Sequence, residues 1–235
     1  MFRIEKKSKL EFKPPVFKCD KCISDQIEPP LPSKPHFMCI VGSAGSGKTS
    51  FMVNLLTNKA AYKKVYESVH VIMPRHSVAS LKNNVFKNHD KMHDELDFQT
   101  LSGISEKIKE DAEDENNSLL ILDDVTVALK DKLVQRLLRD LILNRRHYRL
   151  SIWLLVQTYN AIPLPVRKTV SHLVMFKPRN RKETDNVFGE LVFLDREVAE
   201  KLHGFVFDAP YRFLLADVDG GLLYKNFDRI IINAP

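Results

Sequence analysis

The sequence predicts an α/β domain with a mainly parallel central sheet flanked by helices. Short, uninterrupted apolar runs at 36–42, 118–124 and 150–157 are typical of strands buried on both faces of such a sheet. Segments with helical spacing of apolar residues lie between these runs. A composition of 44% hydrophobic and 28% charged residues over 235 residues is ordinary for one globular domain with short additions.

The first half of the chain alternates strands and helices. The run at 36–42 ends in a glycine loop, and residues 50–56 after it have helical spacing. We expect a buried strand at 68–73, a short strand at 97–101 and a polar helix at 105–115.

The second half continues this alternation. Residues 130–143 place Leu133, Leu137, Leu138 and Leu141 on one side of an amphipathic helix. A DVDGG turn joins the last two predicted strands, so the C-terminal segment should add an antiparallel hairpin to an edge of the sheet. Beyond residue 143, strands are expected at 150–157, 172–176, 205–207, 211–216 and 222–226, and helices at 181–191 and 196–203.

Three regions are expected along the chain. Residues 1–35 carry scattered Pro and Lys without a strand or helix period and should form a basic arm. Residues 36–190 should form the core domain, and residues 191–235 an extension packed on it. The net charge is +6, and basic residues cluster at 3–18, 136–149 and 167–182. A segregated basic surface favours a polyanionic partner, although a solvated face has the same composition.

Several classes of protein are disfavoured. No stretch approaches the roughly 18 apolar residues of a transmembrane helix, and the N-terminus lacks the apolar region of a secretory signal. Three cysteines cannot build a disulfide framework, so a reducing intracellular compartment is expected. Cys19, Cys22, His36 and Cys39 have zinc-like spacing, but Cys39 lies in a predicted strand, where a buried thiol is a common small hydrophobe.

The strongest motif is a complete phosphate-binding loop between a predicted strand and a predicted helix. Its glycines let consecutive backbone N–H groups point at phosphate oxygens, and the helix adds its positive end. Lys48 can reach the β- and γ-phosphates of ATP, and the Thr49 hydroxyl can bind Mg²⁺. The alternative is a glycine-rich turn with a chance match. The predicted nucleotide-binding residues are Gly42, Ser43, Ala44, Gly45, Ser46, Gly47, Lys48, Thr49 and Ser50.

Two acids and an amide follow the other buried strands. Asp123 ends one strand and should hold Mg²⁺, and Asp124 could orient and deprotonate the attacking water. Gln157 ends the next strand, where a buried amide can hydrogen-bond both the water and a phosphate oxygen. A solvated Asp-Asp turn and a solvent-facing Gln are the alternatives. A paired acid at this place favours hydrolysis.

Basic residues supply two further hypotheses. Arg146, with Arg145 as the alternative, could enter a neighbouring subunit's site and stabilise charge on the transferring phosphoryl group. The alternative is that both arginines face solvent at the C-terminal end of a helix, where positive charge is favourable. A second group could contact DNA phosphates, or simply face solvent; it comprises Arg167, Lys168, Lys177, Arg179, Arg181 and Lys182.

These motifs, in this order and spacing, resemble those of viral genome-packaging ATPases of the FtsK/HerA superfamily. That branch occurs in poxviruses, other nucleocytoplasmic large DNA viruses and virophages. The segments GSAGSGKT, LLILDD, NRRH and WLLVQTYNAIPLPVRKTVSHLVMFKPRNRKE carry the resemblance over residues 36–190. Its most specific part is NRRH followed by a strand ending in Gln-Thr-Tyr and a Pro-rich basic turn.

The resemblance implies a RecA-like P-loop domain of the additional-strand type. It also implies a ring of five or six subunits that drives double-stranded DNA into a preformed capsid, with capsid vertex proteins as partners. The implied location is the infected cell's cytoplasm or virus factory, or the virion itself. Many relatives have a small residue at position 145. This leaves open whether Arg145 or Arg146 is the arginine finger, the residue that enters a neighbouring subunit's site. The second acid is often Glu, whereas Asp124 is shorter.

Two other functions use the same motifs. A small P-loop nucleotide kinase would need an arginine-bearing lid, which residues 179–181 could imitate, and an acceptor pocket. A nonmotor regulatory ATPase would act through protein partners, with slow turnover that DNA does not change.

Overall fold

The computed structural model describes residues 21–79, 86 and 91–232, and within these ranges nine strands form one sheet. The strand order is β3-β2-β4-β5-β1-β6-β7-β8-β9. The bounds are β1 Phe37–Val41, β2 Ser68–Ile72, β3 Met92–His93, β4 Ser118–Asp123, β5 Leu150–Val156, β6 His172–Phe176, β7 Phe213–Asp217, β8 Leu222–Lys225 and β9 Asp228–Arg229.

The pairing from β3 through β6 is parallel throughout, whereas β7, β8 and β9 pair antiparallel. The predicted fold class, with its antiparallel C-terminal extension, is confirmed. Strand β5 lies between β1 and β4, so one strand separates the phosphate loop from the acid pair. We call the side where the parallel strands end, at Val41, Asp123, Val156 and Phe176, the carboxyl edge, and the opposite side the amino edge.

Helices cover both faces of this sheet. Buried residues of α3 to α7 pack on one face, and buried residues of α1 pack on the other. Strand β5 serves both cores, because Ile152 and Leu154 face one while Trp153 and Leu155 face the other. The helices are α1 Lys48–Thr57, α2 Arg75–Ala79, α3 Phe98–Glu113, α4 Lys132–Leu143, α5 Leu164–Arg167, α6 Arg181–Val187 and α7 Arg196–Val206, with a π-helical turn at Phe188–Val192.

Two predicted strands are wrong. Residues 97–101 begin helix α3: the Asp97 carboxylate accepts the Thr100 N–H at 2.7 Å and caps the helix, and Leu101 starts its buried stripe. Residues 205–207 are the end of α7, where Val206 is buried. In α4, Leu133 is 55% exposed, and the buried face is instead formed by Val134, Leu138, Leu141 and Ile142.

The described part of the predicted arm lies on the core. Ile23, Ile27 and Leu31 are buried in the same cluster as α1, and the Tyr62 hydroxyl donates to the Pro32 carbonyl at 2.9 Å. Residues 1–20, with the basic cluster at 3–18 and Cys19, lie outside the described residues.

Two further points concern the zinc-like spacing of cysteines and the question of a membrane-spanning helix. Cys39 is fully buried in β1, and burial raises the pKa of its thiol. Within the described ranges, no cluster of three or more His, Cys, Asp or Glu side chains could hold a metal ion. Likewise, no helix in the described part of the chain is both long enough and apolar enough to span a membrane.

Candidate functional site

The phosphate loop connects the end of β1 to the start of α1 at the carboxyl edge. It is tied to β5, because the Gly42 N–H donates to the Val156 carbonyl at 3.1 Å. Gly47 has φ 106°, a value that favours glycine. A Cβ at Gly42 would lie 2.5 Å from the Ser46 hydroxyl and 2.9 Å from the Phe176 Cβ. Glycine is therefore required at both positions, and the turn they permit is the one that a phosphate cradle needs.

Lys48 folds back over this loop. Its ammonium donates to the Gly42 carbonyl at 2.5 Å and to the Ser43 carbonyl at 3.2 Å. Burial lowers the pKa of Lys48, while the charges of Asp123 and Asp124 raise it. The ammonium thus lies within electrostatic reach of both carboxylates. Thr49 and Ser50 stand in the first turn of α1, whose N–H groups and positive pole favour an anion.

The two acids differ in environment. Asp123 is the last residue of β4 and is only 6% exposed. Asp124 is partly exposed, has φ 54°, and donates its backbone N–H to the Leu155 carbonyl at 3.2 Å. Asp is among the few residues other than glycine that adopt this left-handed conformation readily. The turn separates the two carboxylates, so that one is held in the sheet and the other lies at its rim.

Gln157 lies beside Asp124 and is exposed, so the prediction that its amide is buried is wrong. It directly follows β5, and its amide nitrogen is 3.5 Å from the Asp124 Oδ1. This separation is long for a direct hydrogen bond, and such a pair can share a bridging water. The structure therefore brings Lys48, Asp123, Asp124 and Gln157 together at the carboxyl edge.

The turn after Gln157 is anchored by acids that the sequence analysis did not identify. Glu183 of α6 is 3% exposed and accepts the Tyr159 N–H at 2.5 Å. Burial raises the pKa of Glu183, and this hydrogen bond lowers it. Glu190 accepts the Tyr159 hydroxyl at 3.1 Å. An Asn-x-x-Glu pattern at a helix start, as at Asn180 and Glu183, is the only local signal of this anchor.

Arg167 belongs to the same anchor, which corrects its assignment to a DNA surface. Its guanidinium makes two hydrogen bonds to Glu190, at 2.8 and 2.7 Å, and lies 5.2 Å from the centroid of the Tyr159 ring. The Arg167 side chain is only 15% exposed. Glu190 holds two of the guanidinium's five N–H groups and little of the side chain reaches solvent, so Arg167 is better explained as a structural residue.

The other predicted DNA contacts do not share one surface. Lys168 is exposed but precedes β6, so it lies at the amino edge. Four exposed residues follow β6 at the carboxyl edge: Lys177, Arg179, Arg181 and Lys182. Of these, Arg181 forms an exposed ion pair with Glu200, a type of pair that contributes little to stability.

Replacing Arg167 with alanine is expected to lower the free energy of unfolding by about 1–3 kcal/mol, because Glu190 would lose its charged partner. Affinity for double-stranded DNA should stay close to that of the unchanged protein. Arg179→Ala is the matched control, with weaker DNA binding and unchanged stability. Urea unfolding and a DNA-binding titration measure the two effects, and a stable Arg167→Ala protein with weakened DNA binding would contradict this assignment.

Arg145 and Arg146 lie at the opposite edge of the sheet from Asp123 and Asp124 of their own chain. They follow α4 and precede β5, so the length of β5, about 20 Å, separates them from Gln157. Arg145 is 15% exposed in its side chain, donates to the Ile142 carbonyl at 3.0 Å, and lies 3.9 Å from an Asp219 carboxylate oxygen. Arg146 is exposed. The structure thus gives the two adjacent arginines different environments.

Comparisons with known proteins agree with this fold. A model of the family described as Poxvirus A32 protein matches residues 28–194. The genome packaging NTPase B204 from Sulfolobus turreted icosahedral virus 2, in complex with AMPPCP, is 18% identical with a TM-score of 0.63, over 83% of this chain and 98% of that chain. Its complex with AMP gives a TM-score of 0.60 at 17% identity, over 84% and 98%.

A bacterial protein has a similar fold. EssC (ATPases 2 and 3) from Geobacillus thermodenitrificans is 14% identical with a TM-score of 0.54, over 82% of this chain and 40% of that chain. No curated protein matches the chain significantly in sequence. At these identities, the structural matches show that the P-loop ATPase fold is shared.

Proposed function

Because the chain belongs to the poxvirus A32 protein family, which matches residues 28–194, we propose that it is an ATP-driven translocase that moves double-stranded DNA into a preformed capsid. The packaging-ATPase family predicted from the motifs is confirmed, and the chain is accordingly an ATP hydrolase with a role in viral genome packaging. The observation that supports the proposal best is that the phosphate loop, Asp123 and Asp124 lie at the same edge of the sheet, with Gln157 beside Asp124.

The phosphate loop and α1 would bind the triphosphate. The loop after Gly42 and the first turn of α1 would offer their backbone N–H groups to the phosphate oxygens. The Lys48 ammonium would exchange its carbonyl partners for the β- and γ-phosphates. Asp123 and Thr49 offer a carboxylate and a hydroxyl, the oxygen ligands that Mg²⁺ prefers, and Asp123 is already buried beside a cation. Bound there, Mg²⁺ would neutralise phosphate charge.

Asp124 and Gln157 would act on the attacking water. The Asp124 carboxylate would accept the water's proton as the oxygen attacks the γ-phosphorus, and the bond from that phosphorus to the β–γ bridging oxygen would break and release ADP. The Gln157 amide would orient the same water. Their separation of 3.5 Å supports this division of roles, since both groups can contact one molecule of water.

Arg146 would complete the site of a neighbouring subunit. Its position at the amino edge favours action across an interface over action within its own chain. Arg145 holds the loop in place through Ile142 and Asp219. Repetition of one head-to-tail contact between subunits would build the closed ring of five or six subunits that the family resemblance implies.

DNA would contact the carboxyl-edge basic segment. Lys177, Arg179, Arg181 and Lys182 are exposed and follow a strand that pairs directly with β1. Such residues neutralise phosphates without reading sequence, as a packaging motor requires. The same proposal includes docking of the protein on a capsid vertex. It also locates the protein in the cytoplasm or virus factory of the infected cell, or on the virion.

The test is a comparison of Mg²⁺-ATP turnover with double-stranded DNA, with nucleoside monophosphates, and with neither. The proposal predicts that DNA accelerates phosphate release and that no phosphoryl group reaches an added nucleotide. Phosphorylation of a nucleoside monophosphate would indicate a nucleotide kinase instead. Slow turnover that neither DNA nor protein concentration changes would indicate a regulatory ATPase.

A further inference from the structure

Tyr211 has an unusual position beside the phosphate loop. A Cβ at Gly47 would lie only 3.4 Å from the Tyr211 Cδ1, yet Tyr211 is 72% exposed. Its backbone has φ 62°, a left-handed conformation that bulky residues rarely adopt. An aromatic side chain held on the surface, in a strained conformation and against a ligand-binding loop, suggests a function other than packing.

A buried aromatic cluster lies behind this position. Phe51, Phe176 and Phe213 are 9% exposed or less, and their ring centroids are 4.9 to 6.3 Å apart. The Phe176 Cε1 would lie 3.5 Å from the same Cβ at Gly47. Phe176 and Tyr211 therefore both adjoin the loop at Gly47. Phe176 belongs to the core, whereas the Tyr211 ring is open to solvent.

The order of strands indicates which end of a nucleotide would meet Tyr211. The acids lie on β4, two strands from β1 on one side, and β6 and β7 lie on the other side of β1. A triphosphate whose γ-phosphate faces Asp123 and Asp124 extends its nucleoside away from them. Tyr211 immediately precedes the region where Phe213 of β7 pairs with Phe176 of β6, so it lies on the nucleoside side.

We propose that the Tyr211 ring stacks on the base of the bound nucleotide. This inference rests on the proposed nucleotide site and adds to it the element that recognises the base. Stacking uses the π-face that every base has, so adenine and guanine nucleotides should bind with similar affinity. The triphosphate would be held by the loop, and the base by an aromatic residue more than 160 positions further along the chain.

The test is calorimetric titration of the full chain with two probes, the Mg²⁺ complexes of a nonhydrolysable ATP analogue and of inorganic tripolyphosphate. Tyr211→Gly is the informative variant, because glycine adopts φ 62° without strain. We expect about a tenfold loss of affinity for the ATP analogue and no change for tripolyphosphate. Tyr211→Phe keeps the stacking face and should bind both probes as the unchanged protein does.

Each outcome has one meaning. Unchanged affinity of Tyr211→Gly for the ATP analogue would overturn the stacking proposal and leave the phosphate site intact. An equal loss for both probes would show that Tyr211 shapes the loop instead of binding the base, and would also overturn it. If the unchanged protein bound neither probe, the proposed nucleotide site itself would fail, and the stacking inference with it.

Discussion

Replacing Asp124 with asparagine is expected to lower ATP turnover by about 10²–10⁴-fold while nucleotide affinity stays within a factor of about two. The amide cannot accept the proton of the attacking water, whereas Lys48, Thr49 and Asp123 still bind the triphosphate. Asparagine also tolerates the left-handed conformation at φ 54°, so the turn after β4 should keep its shape. Steady-state phosphate release and nucleotide titration measure the two quantities.

Alanine at the same position separates chemistry from folding. Asp124→Ala should lose turnover as the asparagine variant does, and should also lose about 1–2 kcal/mol of stability, because alanine is strained at positive φ. If Asp124→Asn hydrolyses ATP at the normal rate, another group is the base and the assignment is wrong.

A mixture of two inactive proteins should regain activity if Arg146 acts across a subunit interface. Lys48→Ala subunits cannot bind nucleotide but still present Arg146, and Arg146→Ala subunits bind nucleotide but lack the arginine. Alone, each should lose turnover by about 10³-fold or more. In an equal mixture, roughly a quarter of head-to-tail interfaces would pair an intact site with an intact arginine. Phosphate release by the mixture, compared with each protein alone, is the measurement.

Arg145 supplies the control for this experiment. Its side chain is largely buried against Ile142 and Asp219, so Arg145→Ala should lower stability, and Asp219→Ala should have a similar but smaller effect. If Lys48→Ala subunits regain phosphate release when mixed with Arg145→Ala subunits but not with Arg146→Ala subunits, Arg145 is the arginine finger. If neither mixture regains phosphate release, no arginine of this loop acts on a neighbouring subunit.

The phosphate loop and acid pair could be predicted from the sequence because each is a short continuous motif. A strand ending in Asp123 and a loop ending in Lys48 must both place those residues at the carboxyl edge of a parallel sheet. The strand at 97–101 was mispredicted because five residues cannot reveal a helical period. The Asp97 cap, which starts α3, was the missed signal.

Contacts between distant segments explain the remaining differences. In the sequence, Arg167 is one of several neighbouring basic residues. Its contact with Glu190 forms only in the folded protein. The different environments of Arg145 and Arg146 depend on Asp219, more than 70 positions away. The sequence also gives no indication that Tyr211 has positive φ or that it adjoins Gly47. Such pairings are tertiary, and local periodicity carries no information on them.

We propose that one glycine loop and two neighbouring strand ends together bind a single Mg²⁺-triphosphate. Calorimetric titration of the unchanged protein with a nonhydrolysable ATP analogue, with Mg²⁺ and then with EDTA, tests it most directly. We expect one site per chain that needs Mg²⁺ and that Lys48→Ala abolishes. Absence of Mg²⁺-dependent binding in the unchanged protein, or full affinity in Lys48→Ala, would show that no such site exists.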